Sequence, residues 1–100
     1  MITPLYKAPF IVFEGLDGSG KTTLSQALSK IFAKHQVPHI RTREPGGSSL
    51  GEEVRRLLKE VKGQDKVDPL TEAFLLNAAR RDHVEHVILP ALRAGQWVVC

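Results

Sequence analysis

The chain has 100 residues, enough for one small domain. With 42% hydrophobic and 25% charged residues its composition is globular, which sets disorder aside. A single cysteine, Cys100, excludes an internal disulfide framework, and a net charge of +3 is too weak and too scattered to argue for nucleic acid.

Residues 1–9 lack the long apolar segment of a signal peptide, and no run approaches the length of a membrane span. The expected compartment is therefore the cytoplasm, with neither membrane nor nucleic acid as a partner. Phe10-Ile11-Val12-Phe13 has the length and composition of a buried strand. Gly15-Leu16-Asp17-Gly18-Ser19-Gly20-Lys21-Thr22 follows it and matches the pattern G-x-x-x-x-G-K-S/T. A helix is predicted from about Gly20, with Leu24, Ala27, Leu28, Ile31 and Phe32 on one face. Strand, glycine-rich turn and helix are the setting in which this pattern cradles phosphate. The glycines let successive N–H groups converge on phosphate oxygens, and the helix start adds free donors and a positive dipole end. Lys21 supplies a cation for the β- and γ-phosphates, and the Thr22 hydroxyl can ligate Mg²⁺. The chain is predicted to bind a nucleoside triphosphate.

Pro38-His39-Ile40-Arg41-Thr42 is a short strand candidate, and Arg43-Glu44-Pro45-Gly46-Gly47-Ser48 reads as a loop. Ser49 and Glu52 form a capping-box pair opening a helix whose apolar face is Leu50, Val54, Leu57, Leu58 and Val61. Residues 62–66 are a polar linker around Gly63. Asp68-Pro69 starts another helix, predicted to run to Leu92 with Pro90 kinking it or ending it early. Ala94-Gly95 is its stop, and Trp97-Val98-Val99-Cys100 reads as a buried strand. Alternating strands and helices imply an α/β fold with a parallel sheet covered on both faces. Because the last strand carries no turn, cap or polar tail, the chain is expected to be the N-terminal part of a single longer domain.

Among the remaining polar residues, Asp17 either faces a second substrate or caps its loop. Arg43 and Glu44 lie just past the second strand, where open α/β sheets place their ligands, though a local surface ion pair explains them as well. Arg80 falls one turn after Leu76 and could point into a cleft, whereas Arg81 is expected in solvent. His83 and His86 have the spacing of half a metal site but no third ligand, so they are expected as surface histidines.

With these motifs in view the sequence closely resembles the bacterial thymidylate kinase family. The matching stretches are Phe13-Glu14-Gly15 through Thr22-Thr23, Thr42-Arg43-Glu44-Pro45-Gly46-Gly47, and Asn77-Ala78-Ala79-Arg80-Arg81 with Val87-Ile88-Leu89-Pro90-Ala91-Leu92 after it. The resemblance implies a P-loop NTPase fold of strand order 2-3-1-4-5, with the first three strands present here. It implies phosphorylation of dTMP to dTDP by ATP with Mg²⁺, and a homodimer for the full-length protein. Residues 15–22 would hold the ATP phosphates, with Lys21 on the transferring group. Asp17 resembles the acidic loop residue that contacts the sugar 3′-hydroxyl of dTMP. Arg43 and Glu44 resemble the lining of the dTMP phosphate site, and Arg80 the arginine that hydrogen-bonds thymine. Leu76 stands where the family stacks an aromatic ring on the base, and Gly18 where one subgroup carries a catalytic arginine. The lid and the Asp-Arg pair of the family have no counterpart in these 100 residues, which alone are expected to be inactive. Two other readings stay open at this point. One is another P-loop nucleoside monophosphate or small-molecule kinase. The other is a regulatory GTPase or ATPase, for which the Asn-Lys-x-Asp base-reading segment is missing.

Overall fold

The structure, a computed structural model, describes residues 8–16, 18–61 and 67–100. In chain order its elements are β1 (Phe10–Ile11), α1 (Lys21–Lys34), β2 (His39–Arg41), α2 (Ser49–Val61), α3 (Pro69–His83), a π-helical turn (Val84–Ile88), α4 (Leu89–Arg93) and β3 (Trp97–Val99). Asp17 and the predicted linker at residues 62–66 lie outside the described residues. The chain forms two units, one from Met1–Thr42 with Leu89–Cys100 and one from Arg43–Ile88.

The first unit is built on a parallel sheet of order β1-β3-β2, so the last strand in the sequence is the central one. Ile40 and Phe10 both register with Val98, and Arg41 and Ile11 with Val99. Successive strand residues point to opposite faces, and Val98 and Val99 are both fully buried, so both faces of the central strand are covered. Read from the other edge the order is 2-3-1, as the family resemblance implies. The expectation of a buried strand at residues 10–13 is corrected. β1 spans two residues, Phe10 is 47% and Val12 49% exposed, and only the Phe13 N–H continues the pairing, to the Cys100 carbonyl at 2.8 Å. The physical reason is position: among the described residues β1 pairs with β3 alone, and its other flank has no strand against it.

Helix α1 forms where expected but turns a different face to the sheet. Its buried residues are Ser25 and Phe32, while Leu24 and Ile31 are exposed. Phe32 packs edge-on against His39 and Trp97, with ring centroids 5.5 and 4.9 Å apart. Arg41 Nε donates to Ser25 Oγ at 2.9 Å, and Ser29 Oγ meets His39 Nε2 at 2.7 Å. His39 Nδ1 lies 2.9 Å from the Val37 carbonyl, which can only accept, so Nδ1 carries the proton. Because β2 presents His39 and Arg41 to the helix, serines answer them where leucines were predicted. After α4, Gly95 (φ +79) closes the helix as expected, its N–H on Leu92 O and the Gln96 N–H on Ala91 O.

In the second unit α2 packs on α3. The capping residue of α2 is Ser48, whose Oγ accepts the Gly51 N–H at 3.0 Å, and not Ser49 as predicted. Glu52 does not return to the cap; it is taken up by Arg43 and by the Gly47 N–H. Val54 is the buried centre of the predicted apolar face, whose Leu50 and Leu57 are exposed. Asp68 caps α3 as expected, accepting from the Leu70 and Thr71 N–H groups, with Pro69 in the first turn. The disturbance expected from Pro90 is the π turn ahead of it. Proline lacks an N–H and its ring collides with the carbonyl four residues back. The widened turn over Val84–Ile88 avoids this by placing Pro90 in the first turn of α4.

Candidate functional site

The phosphate loop belongs to the first unit and is shaped by its backbone. Gly18 (φ +81) and Gly20 (φ +96) hold conformations that an L side chain resists, and the Ser19 N–H closes a tight turn onto Leu16 O at 3.0 Å. A Cβ at Gly15 would lie 2.6 Å from Ser19 Oγ and would oblige that hydroxyl to turn away. Gly20 is the N-cap of α1 and offers no side chain, and the first turn of that helix contains no acid. Among the described residues no side chain caps the first N–H groups of α1, the condition in which a helix start receives an anion. Lys21 Nζ donates to the Gly15 carbonyl at 2.5 Å, spanning the loop from its helical end to its first residue. Thr22 is exposed one residue further on. No group of three or more His, Cys, Asp or Glu able to hold a metal occurs among the described residues. The Thr22 hydroxyl, with phosphate oxygens and water, is a donor set that would suit Mg²⁺.

The other predicted residues belong to the second unit and fall into two clusters. Arg43 makes a bidentate pair with Glu52, Nε to Oε1 at 3.1 Å and Nη2 to Oε2 at 2.8 Å. The Arg43 guanidinium and the Gly47 N–H hold the Glu52 carboxyl down at about 2. Arg43 and Glu44, adjacent in sequence, thus take different partners. Glu44 turns instead to α3, where Oε1 accepts from Arg80 Nε at 2.8 Å and Oε2 meets His83 Nδ1 at 2.9 Å. Burial raises the Glu44 pKa, but the hydrogen bonds from His83 and Arg80, with their charges, outweigh it and leave the carboxyl below its ordinary value. Arg80 is 67% exposed, Glu44 22% and His83 not at all.

His83 was expected at the surface, and its complete burial corrects that expectation; His86 is exposed and pairs with Asp82. The signal that could have found it is spacing, since His83 lies one turn beyond Arg80 on the same side of α3. Glu52 was seen only as a cap. Leu76 is partly exposed, and Arg81 is in solvent as expected, paired with Glu85. An open cleft of about 510 Å³ is lined by Ser48, Ser49, Leu50, Asp82, His86 and Val87, none of them a predicted site residue.

The family profile described as thymidylate kinase matches residues 13–100. The chain belongs to the thymidylate kinase family. The thymidylate kinase of Bdellovibrio bacteriovorus is 49% identical over 94 residues, covering 94% of this chain and 44% of the relative. That of Neorickettsia sennetsu is 48% identical over 91 residues, covering 91% of this chain and 44% of the relative. Among solved structures, the crystal structure of thymidylate kinase from Ehrlichia chaffeensis superposes with a TM-score of 0.75 at 43% identity, covering 93% of this chain and 52% of that one. The chain thus spans a little under half the length of the curated thymidylate kinases it matches. The likeness extends to the fold, an α/β arrangement on a parallel sheet of the P-loop NTPase type.

Proposed function

We propose that the protein transfers the γ-phosphoryl group of ATP to dTMP, giving dTDP and ADP. The bond broken joins the γ-phosphorus to the β,γ-bridging oxygen, and the bond formed joins that phosphorus to a phosphate oxygen of dTMP. The observation that carries this reading is the uncapped start of α1 behind Gly18 and Gly20, in a chain of the thymidylate kinase family. Such transfer needs positioning and positive charge more than covalent chemistry by the protein. In this reading the N–H groups of residues 15–22 hold the β- and γ-phosphates, and Lys21 follows the transferring group as its charge develops. Thr22 ligates Mg²⁺, which when bound neutralises phosphate charge. Asp17 accepts a hydrogen bond from the sugar 3′-hydroxyl. Arg43 and Glu44 line the acceptor site, Leu76 forms an apolar wall beside thymine, and Arg80 donates to the base.

A single domain that continues past residue 100, a cytoplasmic location and a homodimeric assembly belong to the same proposal. Another nucleoside monophosphate kinase or a regulatory GTPase is not favoured, because the match extends through the Arg43-Glu44-Pro45 loop and the Arg80 helix. Separate titrations with dTMP and ATP test the assignment. Arg80→Ala removes the partner of a polar group on the base, an effect of ~1–3 kcal/mol. The dTMP affinity should therefore fall by roughly one to two powers of ten, with ATP affinity unchanged. Equal weakening of both nucleotides defeats the reading of Arg80.

A further inference from the structure

We infer that His83 is a positioning residue for recognition of the acceptor base, acting on Arg80 through Glu44. The inference rests on the proposed role of Arg80. An ionised carboxylate has no proton to give, so the 2.9 Å contact requires His83 Nδ1–H to donate to Glu44 Oε2. Glu44 is held below its ordinary pKa, so this description applies at neutral pH. His83 is fully buried at the end of α3, where packing fixes its ring. That ring fixes the Glu44 carboxylate, whose other oxygen receives Arg80 Nε at 2.8 Å. Arg80 is otherwise a long side chain, 67% exposed, with several rotamers to lose when it binds. Tethering it through Nε removes much of that freedom in advance and leaves the two terminal NH₂ groups to donate to a base. The immobile end of the relay is His83, which meets no ligand in this scheme.

The test compares wild type, His83→Ala and His83→Asn in titrations with dTMP, deoxyribose 5-phosphate and ATP. The asparagine amide can donate from near the position of Nδ1. His83→Ala should weaken dTMP ~10-fold, the size of one oriented hydrogen bond. Deoxyribose 5-phosphate and ATP should stay within about twofold of wild type, and His83→Asn should recover most of the loss. Unchanged dTMP affinity in His83→Ala, equal weakening of dTMP and deoxyribose 5-phosphate, or no recovery in His83→Asn overturns the inference. Should His83→Ala not fold, NMR of wild type and Glu44→Gln decides. The Arg80 Nε–H and His83 Nδ1–H signals should both move, and if either stays fixed the relay is wrong. A wild type that binds no dTMP defeats the proposed function instead, while the same two signals still report whether His83 holds Arg80.

Discussion

In the proposed function the phosphate loop and the Glu44 cluster solve the same problem, holding a charged group ready for a ligand, by different means. The loop is contiguous in sequence and depends on backbone: two glycines at positive φ, a helix start without a cap, and one lysine across it. The cluster depends on side chains drawn from separate elements, with Glu44 reaching a partner 36 residues away in Arg80 and another 39 away in His83. Donors supplied by backbone are deleted only by substitution to proline; other changes displace them by altering the curl that aims them. Side-chain donors can be removed singly, and each removal leaves a partner unmatched.

The largest effect that sharpens this contrast should come from the one side chain on which the loop relies. In the full-length protein Lys21→Ala is expected to lower turnover at least ~100-fold, as for loss of one preorganised electrostatic donor. The loss should fall on kcat more than on the KM for dTMP, and steady-state kinetics with both substrates would reveal a different partition. Gly20→Ala comes next. Nothing lies within 4 Å of the added Cβ, so its penalty is the backbone strain at φ +96. That strain is ~1–2 kcal/mol, or about tenfold in ATP affinity, with dTMP affinity preserved. If Gly20→Ala binds ATP like wild type, the left-handed turn at residue 20 is not what aims the loop's donors.

The smallest effect concerns the Arg43–Glu52 pair. Glu52 is depressed to about 2 from an ordinary 4.5, so its pairing stabilises the fold fully above pH 4.5 and is lost as pH falls through about 2. Both side chains are well exposed, and solvent screening limits the contribution to ~1 kcal/mol or less. In urea unfolding, the stability gap between wild type and Glu52→Gln should shrink on acidification through that window and also with added salt. A gap constant from pH 5 to pH 2 removes the pair from the account.

What could be read in the sequence follows the same division. The loop, the Asp68-Pro69 helix start and the Gly95 stop were legible because their physics is local, settled by neighbouring residues and φ preferences. The sheet order came with the family resemblance. The buried face of α1 was not legible, because periodicity counts apolar residues and Ser25 and Ser29 carry none of that signal. They answer Arg41 and His39, which a reading confined to the helix does not see. His83 was hidden for a related reason: the group that accepts its buried hydrogen bond, Glu44, lies 39 residues away. Ser49 was preferred to Ser48 as a cap because one-residue shifts at helix starts leave the pattern almost unchanged.

The placement of β3 has a consequence for the order of events as the chain is made. β1 and β2 do not pair with each other; each is hydrogen-bonded to the strand between them, which comes last in the sequence. At ~5–20 residues per second, residues 97–99 are synthesised seconds after Phe10 and His39. During that interval neither β1 nor β2 has the partner to which it is hydrogen-bonded in the folded sheet. Contacts between residues so far apart in sequence form slowly in any case. The phosphate loop, local in its chemistry, thus gains the support of the β1–β3 pairing only once residues 97–99 have been made.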